Sequence, residues 1–331
     1  MGADAHFFAD KIELAPGRPA CDIDIPAPDP DAFHDDARFA INALPALAAR
    51  PDQIRHLRQT ILNLAVRGKL VPRDLNEEPA SNLLERLVRA GGNVKVRRGV
   101  PEETSHQLQV KQYGPMPEGW CYDRVAKLLR IGALHDLKDG NHGANPPKVS
   151  DFVNEGLPFI TAAQILENGK IDYDSAYKLS GAPLSKLRVG FAREGDVIYT
   201  HKGSVGRVAV CDRNCVLSPQ TTYYRPNTSV FFAPFIRIML LSDVFREQAD
   251  DVKKQTTRDF VSIQKQYEFV LFIPPLTEQL RIVAKVDELM ALCDRLEAGL
   301  TAADDTRRRL LDALLANALA PVEAREQQAA E

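Results

Sequence analysis

The sequence predicts an α+β chain, with a mixed α/β domain over residues 120–275 and one long helix over 276–318. Between Trp120 and Pro274, short apolar or alternating runs are separated by turn residues, which is the pattern of strands joined by tight connections. From Glu278 onward, apolar residues recur in alternating steps of four and three, which is the pattern of a single continuous helix. Composition agrees: 331 residues, 44% hydrophobic and 26% charged, are enough to bury a core and to form two structural units.

Residues 1–50 read as an acidic, Pro/Asp-rich leader. The stretch "LAPGRPACDIDIPAPDPDAFHDDA" has no helical or strand period, and no site is expected in it. A helical region follows over 51–92. Pro51 and Asp52 suit a helix start, Ile54, Leu57, Ile61, Leu64 and Ala65 recur on one face, and Gly68 is a C-terminal stop. After "VPRDLNEEP", Ser81 caps a second helix through "NLLERLVRA", closed by Gly91 and Gly92. Residues 93–119 are a linker.

Within 120–275, "GLPFITAAQI", "GDVIYT", "RVAVC", "TTYYR" and "FVLFIP" read as strands, and "PFIRIMLLSDVFREQADDV" reads as one helix packed against them. "YTHKGSVGRVAV" (199–210) is a hairpin, with Gly203 and Gly206 allowing the tight backbone path. Pro274 and Pro275 block any continuation of the last strand. Thr277 is the N-cap of the long helix, and Glu278 sits favourably in its first turn. Its seam runs through Ile282, Val286, Leu289, Cys293, Leu296, Leu300, Ala303, Arg307, Leu310 and Leu314. Such a helix spans roughly 60 Å and needs a partner along it, because a compact domain at its root cannot bury the whole stripe. Residues 319–331 form a tail.

Several function classes are excluded. The most apolar run, Phe231–Leu241, is broken by Pro234 and Arg237, and the first residues lack a basic and apolar signal pattern, so a cytoplasmic chain is expected. Five cysteines, an odd number scattered through the chain, point to reduced thiols. Cys211, Cys215 and His201 lack a second ligand pair at metal-binding spacing, so no metal is expected. "NPPK" (145–148) resembles the Asn-Pro-Pro-aromatic motif of amino-group DNA methyltransferases, but Lys148 replaces the aromatic and no glycine-rich cofactor turn precedes it. There is no Walker A pattern, no G-x-S-x-G elbow and no Cys-His dyad, and "DDVKK" (250–254) is only a fragment of a nuclease cluster. No catalytic residue and no resident cofactor are expected.

Charge is unevenly divided. Residues 1–50 carry nine acidic and four basic side chains and residues 276–331 eleven and seven, leaving 25 acidic against 31 basic in 51–275. A modestly basic middle between acidic ends is compatible with phosphate contact.

Taken in order, these blocks resemble the specificity (S) subunit of type I restriction-modification systems. "LRQTILNLAVRGKLVPRDLNEEPASNLLERL" (57–87) is similar to the family's conserved N-terminal helical region, and "PEGWCYDRVAKLL" to the start of a target recognition domain. "GLPFITAAQILENGKIDY", "FAREGDVIYTHKGSVGRVAVCD" and "VLSPQTTYYRPN" are similar to its body, and residues 255–297 to its exit and the conserved helix beyond. The resemblance implies a non-catalytic, sequence-specific DNA-binding subunit in phage defence, with one target recognition domain over 120–275 and long conserved helices forming an antiparallel coiled coil. It implies a methyltransferase (modification) subunit as partner, with S-adenosylmethionine bound there, and a restriction/translocase subunit as a further partner.

The usual S subunit carries two recognition domains and reads a two-part site, whereas here each block appears once. The natural completion of this half-length form is a homodimer through Ile282, Val286, Leu289, Cys293, Leu296, Leu300, Leu310 and Leu314, reading an interrupted palindrome. Three alternatives stay open: a truncated S subunit, a half subunit that pairs with a different half, and a coiled-coil adaptor that binds a protein. The candidate DNA contacts lie on four polar loops. They are Lys138, Asn141, His142 and Lys148; His201, Lys202, Ser204 and Arg207; Gln220, Thr221 and Tyr223; and Thr256, Thr257 and Arg258.

Overall fold

A computed structural model describes residues 51–74, 76–90, 100, 116–142, 146–253 and 260–319, all within one contact unit, Leu47–Glu331. The leader, most of the linker, Gly91, Gly92, Asn145, Thr256, Thr257, Arg258 and residues 320–331 lie outside the described residues.

Helix α1 (Pro51–Val66) buries Ile54, Ile61, Leu62, Ala65 and Val66 along one face, while Leu57 and Leu64 from the expected stripe are half-buried. Gly68 follows it with φ +65°, the left-handed conformation expected of a helix stop. Helix α2 (Ala80–Arg89) begins one residue before Ser81, with Pro79 at the N-cap, so Ser81 lies inside the helix and is not its cap. Pro79 supplies the entry because its fixed φ (here −55°) needs no donor at that position.

The α/β region holds two larger sheets and a small ribbon. Strand β1 (Cys121–Arg124) leads into helix α3 (Val125–Arg130) and β2 (Leu134–Asp139). Strands β3 (Phe152–Val153), β4 (Leu157–Ile160) and β5 (Tyr177–Leu179) are followed by the short helix α4 (Gly181–Ser185). Then come β6 (Phe191–Ala192), β7 (Val197–Thr200), β8 (Val208–Val210), β9 (Cys215–Leu217) and β10 (Thr221–Pro226). Helices α5 (Ala233–Leu241), α6 (Asp243–Lys253) and α7 (Ile263–Gln266) precede β11 (Val270–Ile273) and helix α8 (Leu276–Leu319). The strand orders are β2-β10-β7-β8, all antiparallel; β3-β5-β4-β9-β6, with β4 and β9 parallel; and the antiparallel pair β1-β11.

The β2-β10-β7-β8 sheet is covered on both faces, and strand alternation sorts its side chains. Ile198, Ala209 and Tyr223 point into a cluster with Ile160, Ala192 and Leu217 of the other sheet and with Ile165 beyond β4. Their neighbours Tyr199 and Tyr224 face the helical side, where Tyr199 meets Phe245 edge-on at 5.6 Å and Tyr224 donates to Gln266 Oε1 at 2.9 Å. Burial on both faces explains why "VIYT" and "TTYY" read as nearly continuous apolar runs.

The single helix expected over 234–252 is two. Ser242 takes extended backbone (ψ 158°), its hydroxyl donates to Met239 O at 2.7 Å, and it accepts from Phe245 N at 3.4 Å. A serine serving both helix ends is a stable break. Thr277 likewise lies inside α8, which starts at Leu276. Buried Gln279 anchors this root by donating to Val230 O (2.8 Å) and Pro274 O (3.0 Å) and accepting from Phe232 N (2.8 Å).

Helix α8 is 44 residues long. The first part of its apolar seam does not wait for another chain: Ile282, Val286, Leu289 and Cys293 are buried where α8 packs on α1 and α5. Arg58 of α1 reaches Asp294 (2.6 Å) and Glu297 (2.8 Å) across that contact. Those four residues are therefore internal core, not interface. Leu296 and Leu300 are half-buried, and residues 301–316 are exposed throughout, including Leu310 (61%) and Leu314 (65%). No helix among the described residues is long and apolar enough to cross a membrane.

Candidate nucleic-acid interface

Segments far apart in sequence are laced together at one edge of the β2-β10-β7-β8 sheet, where β2 and β7 end and β10 begins. Gly140 N–H donates to Thr221 O at 2.7 Å and Asn141 N–H to Leu217 O at 2.7 Å, which ties the end of β2 to the β9–β10 turn. His201 N–H donates to Gln220 O at 3.0 Å, and His201 O accepts from Val261 N–H at 2.9 Å. A further bridge pairs Lys202 with Phe260. Glycine is required for the first contact: a Cβ on Gly140 would lie 1.9 Å from Ser218 O.

The hairpin forms as expected, pairing Val197 with Val210 and Tyr199 with Val208, with Gly203 and Gly206 at φ +80° and +101°. Thr200 Oγ1 closes the loop on Ser204 O and accepts from Arg207 N at 2.9 Å. Lys202 and Ser204 are exposed at its tip, as is Gln220 on the neighbouring turn. His142 and Lys148 are exposed on the third loop, His142 Nδ1 lying 2.8 Å from Gly140 O and Lys148 N–H donating to Asp151 at 2.7 Å.

Other candidates are placed differently. Asn141, His201, Thr221 and Tyr223 are each 2% exposed or less, so their side chains are not on the loop surface. Thr221 Oγ1 donates to Ser218 O at 3.0 Å and steadies its own turn. Tyr223 points between the sheets, donating to Asp136 at 3.0 Å beneath the Arg225 guanidinium, which lies 4.7 Å over the ring. Arg207 donates to Ala162 O (3.3 Å) and Ile165 O (3.2 Å), joining the hairpin to the second sheet. Lys138 is partly exposed and paired with Asp136 at 2.8 Å. Each departure has one cause: residue type marks a polar loop, but whether a side chain points outward depends on strand phase and on segments arriving from elsewhere.

Three residues that sequence reasoning passed over organise this edge. Asp139 lies beneath the loops, and burial raises its carboxyl above the usual carboxylate range, opposed by His201 and His142. Val261 O accepts from Gln266 Nε2 at 3.2 Å, and His201 Nδ1 lies 3.1 Å from the same oxygen. Gln266 Oε1 in turn accepts from Thr222 at 3.0 Å. None carries a local pattern, because all act through long-range pairing. Cys211 and Cys215 are buried free thiols with sulfurs 3.5 Å apart, and the hydrogen bond with the Cys211 thiol, followed by burial, pushes Cys215 far up. Among the described residues, no group of three His, Cys, Asp or Glu is placed to hold a metal.

Fold and edge together define a mixed α/β domain with a gathered polar loop surface and a long helix leaving its core. Among known proteins, the chain is similar to the type I restriction enzyme EcoAI specificity subunit of Escherichia coli, 27% identical over 272 residues, 78% of this chain and 43% of the relative. It is also similar to the EcoEI specificity subunit of Escherichia coli, 28% identical over 280 residues, 80% of this chain and 43% of the relative. Among solved structures, it is similar to the HsdS subunit from Thermoanaerobacter tengcongensis, with 19% identity and a TM-score of 0.45, covering 86% of this chain and 57% of that one. No family model matches. The chain is thus a relative of type I specificity subunits, and it spans less than half the length of these two curated relatives.

Proposed function

We propose that this chain acts as a non-catalytic specificity subunit that reads double-stranded DNA with a target recognition domain (120–275) and directs a partner methyltransferase to its site. The observation that carries the reading is the convergence of loops 138–142, 201–206 and 218–221 with residues 260–261 on one sheet edge, exposing Lys202, Ser204 and Gln220 together. Lys202 and Lys148 supply phosphate charge, and Ser204, Gln220 and His142 supply base-edge or phosphate hydrogen bonds. Thr256, Thr257 and Arg258 precede Phe260 in sequence and are proposed contacts on the same grounds of residue type. S-adenosylmethionine belongs to the methyltransferase partner, and a restriction/translocase subunit joins the assembly as a further partner in the cytoplasm.

Leu310 and Leu314, exposed on the distal part of α8, support a homodimer through that part of the helix, carrying a recognition domain at each end and reading an interrupted palindrome. The same exposed leucines favour a second reading, a coiled-coil adaptor whose α/β domain binds protein.

Binding to a mixed-sequence duplex across a salt series separates the two. Lys202→Ala and Arg258→Ala each weaken binding and lower the salt slope by about one unit per lost phosphate contact. Unchanged slopes in both variants remove these loops from the contact surface, and salt-insensitive capture of a protein in place of DNA supports the adaptor. Mapping methylated bases in cells that express the chain with a type I methyltransferase subunit then gives the target.

A further inference from the structure

Beneath the loop surface, three buried polar atoms have no hydrogen-bond partner: Asp139 Oδ1, Asn141 Nδ2 and His201 Nε2. Two of them face each other, His201 Nε2 lying 3.7 Å from Asp139 Oδ1. His201 is 2% exposed, and its other bonds are all spent on neighbouring segments. Its N–H holds Gln220 O, its carbonyl holds Val261 N–H, and its Nδ1 meets Val261 O at 3.1 Å. Phe260 packs against the ring with centroids 5.4 Å apart. One residue, through its backbone and its ring, therefore contacts every segment that builds the edge.

A carbonyl accepts only, so in the tautomer that donates to Val261 O, Nδ1 carries the proton and the neutral ring presents a bare Nε2 lone pair. Opposite it stands a carboxylate oxygen, also a bare acceptor. Two acceptors 3.7 Å apart repel, and one proton between them turns the pair into a charge-assisted hydrogen bond. We propose that His201 is a positioning residue whose imidazole, together with Asp139, forms a proton-operated latch that sets the spacing of the 138–142, 201–206 and 260–261 segments. This rests on the DNA reading above for its consequence, but the latch itself does not. When the pair takes up a proton, Nε2 and Oδ1 draw together, and the exposed groups carried on those segments, Lys202, Ser204 and His142, move as one unit.

The titratable and charged groups around the pair are His142 and Asp139 on the β2 side, Lys202 on the hairpin and the Tyr224 hydroxyl on the sheet; the remaining neighbours are the Pro219 and Val261 carbonyls. Burial lowers the His201 pKa, opposed by Asp139, and raises that of Asp139, opposed by His201. Both shifts leave the ring neutral at neutral pH and assign proton uptake to the pair on the acid side.

The test uses the full chain, with two readouts. Hydrogen exchange at the Val261 amide, normalised to intrinsic rates, slows about tenfold on acidification from about pH 8, the effect of one added charge-assisted hydrogen bond. His201→Gln abolishes that pH dependence, and Asp139→Asn, whose amide donates permanently to Nε2, holds the slow rate at both ends. In parallel, affinity for a mixed-sequence duplex follows the same pH profile in the wild type and is flat in both variants, with the salt slope unchanged. If His201→Gln does not fold, Asp139→Asn and the wild-type profile decide alone. A Val261 exchange profile identical in wild type and Asp139→Asn overturns the latch. A wild-type chain with the expected exchange profile and no duplex binding overturns the DNA reading and leaves the latch standing.

Discussion

Replacing Gln279 with Leu tests how α8 is fixed to the α/β core. The side chain is fully buried and spans three backbone groups: the carbonyls of Val230 and Pro274 and the amide of Phe232, at 2.8, 3.0 and 2.8 Å. Leucine has similar volume but satisfies none of them. A buried backbone group left without its partner costs about 1–3 kcal/mol. Taken near the low end, at about 1.3 kcal/mol each, the three cost about 4 kcal/mol, and about 1 kcal/mol from burying the added apolar surface leaves a net loss of about 3 kcal/mol. Urea unfolding reads this directly, because the single tryptophan, Trp120, is buried edge-on to Phe235 at 6.3 Å close to that root. With a slope of about 3 kcal/mol/M, the midpoint falls by about 1 M. The adjacent Leu280, 47% exposed, is the control: Leu280→Ala shifts stability by no more than about 0.5 kcal/mol. A Gln279→Leu midpoint no lower than that control refutes the anchoring argument.

The exposed distal seam supplies a second expectation. Leu310→Asp with Leu314→Asp yields a monomer by sedimentation while the unfolding midpoint of the α/β core is unchanged, since neither residue touches that core; a persistent dimer removes the tail from the interface. Leu289→Asp is the wrong probe, because Leu289 is 8% exposed and its charge would destabilise the fold. A third expectation concerns Glu278, 2% exposed, whose carboxyl burial raises above the usual range. A raised folded-state pKa means that the native chain holds the proton longer than the unfolded one, so ionisation costs stability above the folded pKa. Glu278→Gln is therefore more stable than wild type at pH about 8, and the gap closes as pH falls toward the unfolded value of about 4.3. A gap that widens on acidification shows the helix-dipole contribution outweighing burial.

Much of this architecture was legible because it is written in local patterns. The "VIYT" and "TTYYR" runs, the Gly203/Gly206 hairpin, the glycine after α1 and the long period beyond Pro275 each state their secondary structure within a few residues. The misreadings share a limit. Ser242 splits an apolar helix because its hydroxyl serves two ends at once, and Ser81 and Thr277 look like caps, yet their helices begin a residue earlier, at Ala80 and Leu276. The candidate contacts divide in the same way. Polar residue type marked loops, but Asn141, His201, Thr221 and Tyr223 turn inward and Arg207 is spent on two carbonyls.

By itself, the sequence determined the α+β class, the order of its strand and helix blocks and the resemblance to type I specificity subunits. All of these follow from residue type and spacing along the chain. Only the tertiary structure decided that the first four positions of the long apolar seam are the protein's own core, because α1 and α5 return to cover them from far upstream. It alone also brought Asp139, His201 and Val261 together, because backbone pairing between segments 60 or more residues apart leaves no mark on the residues beside each one.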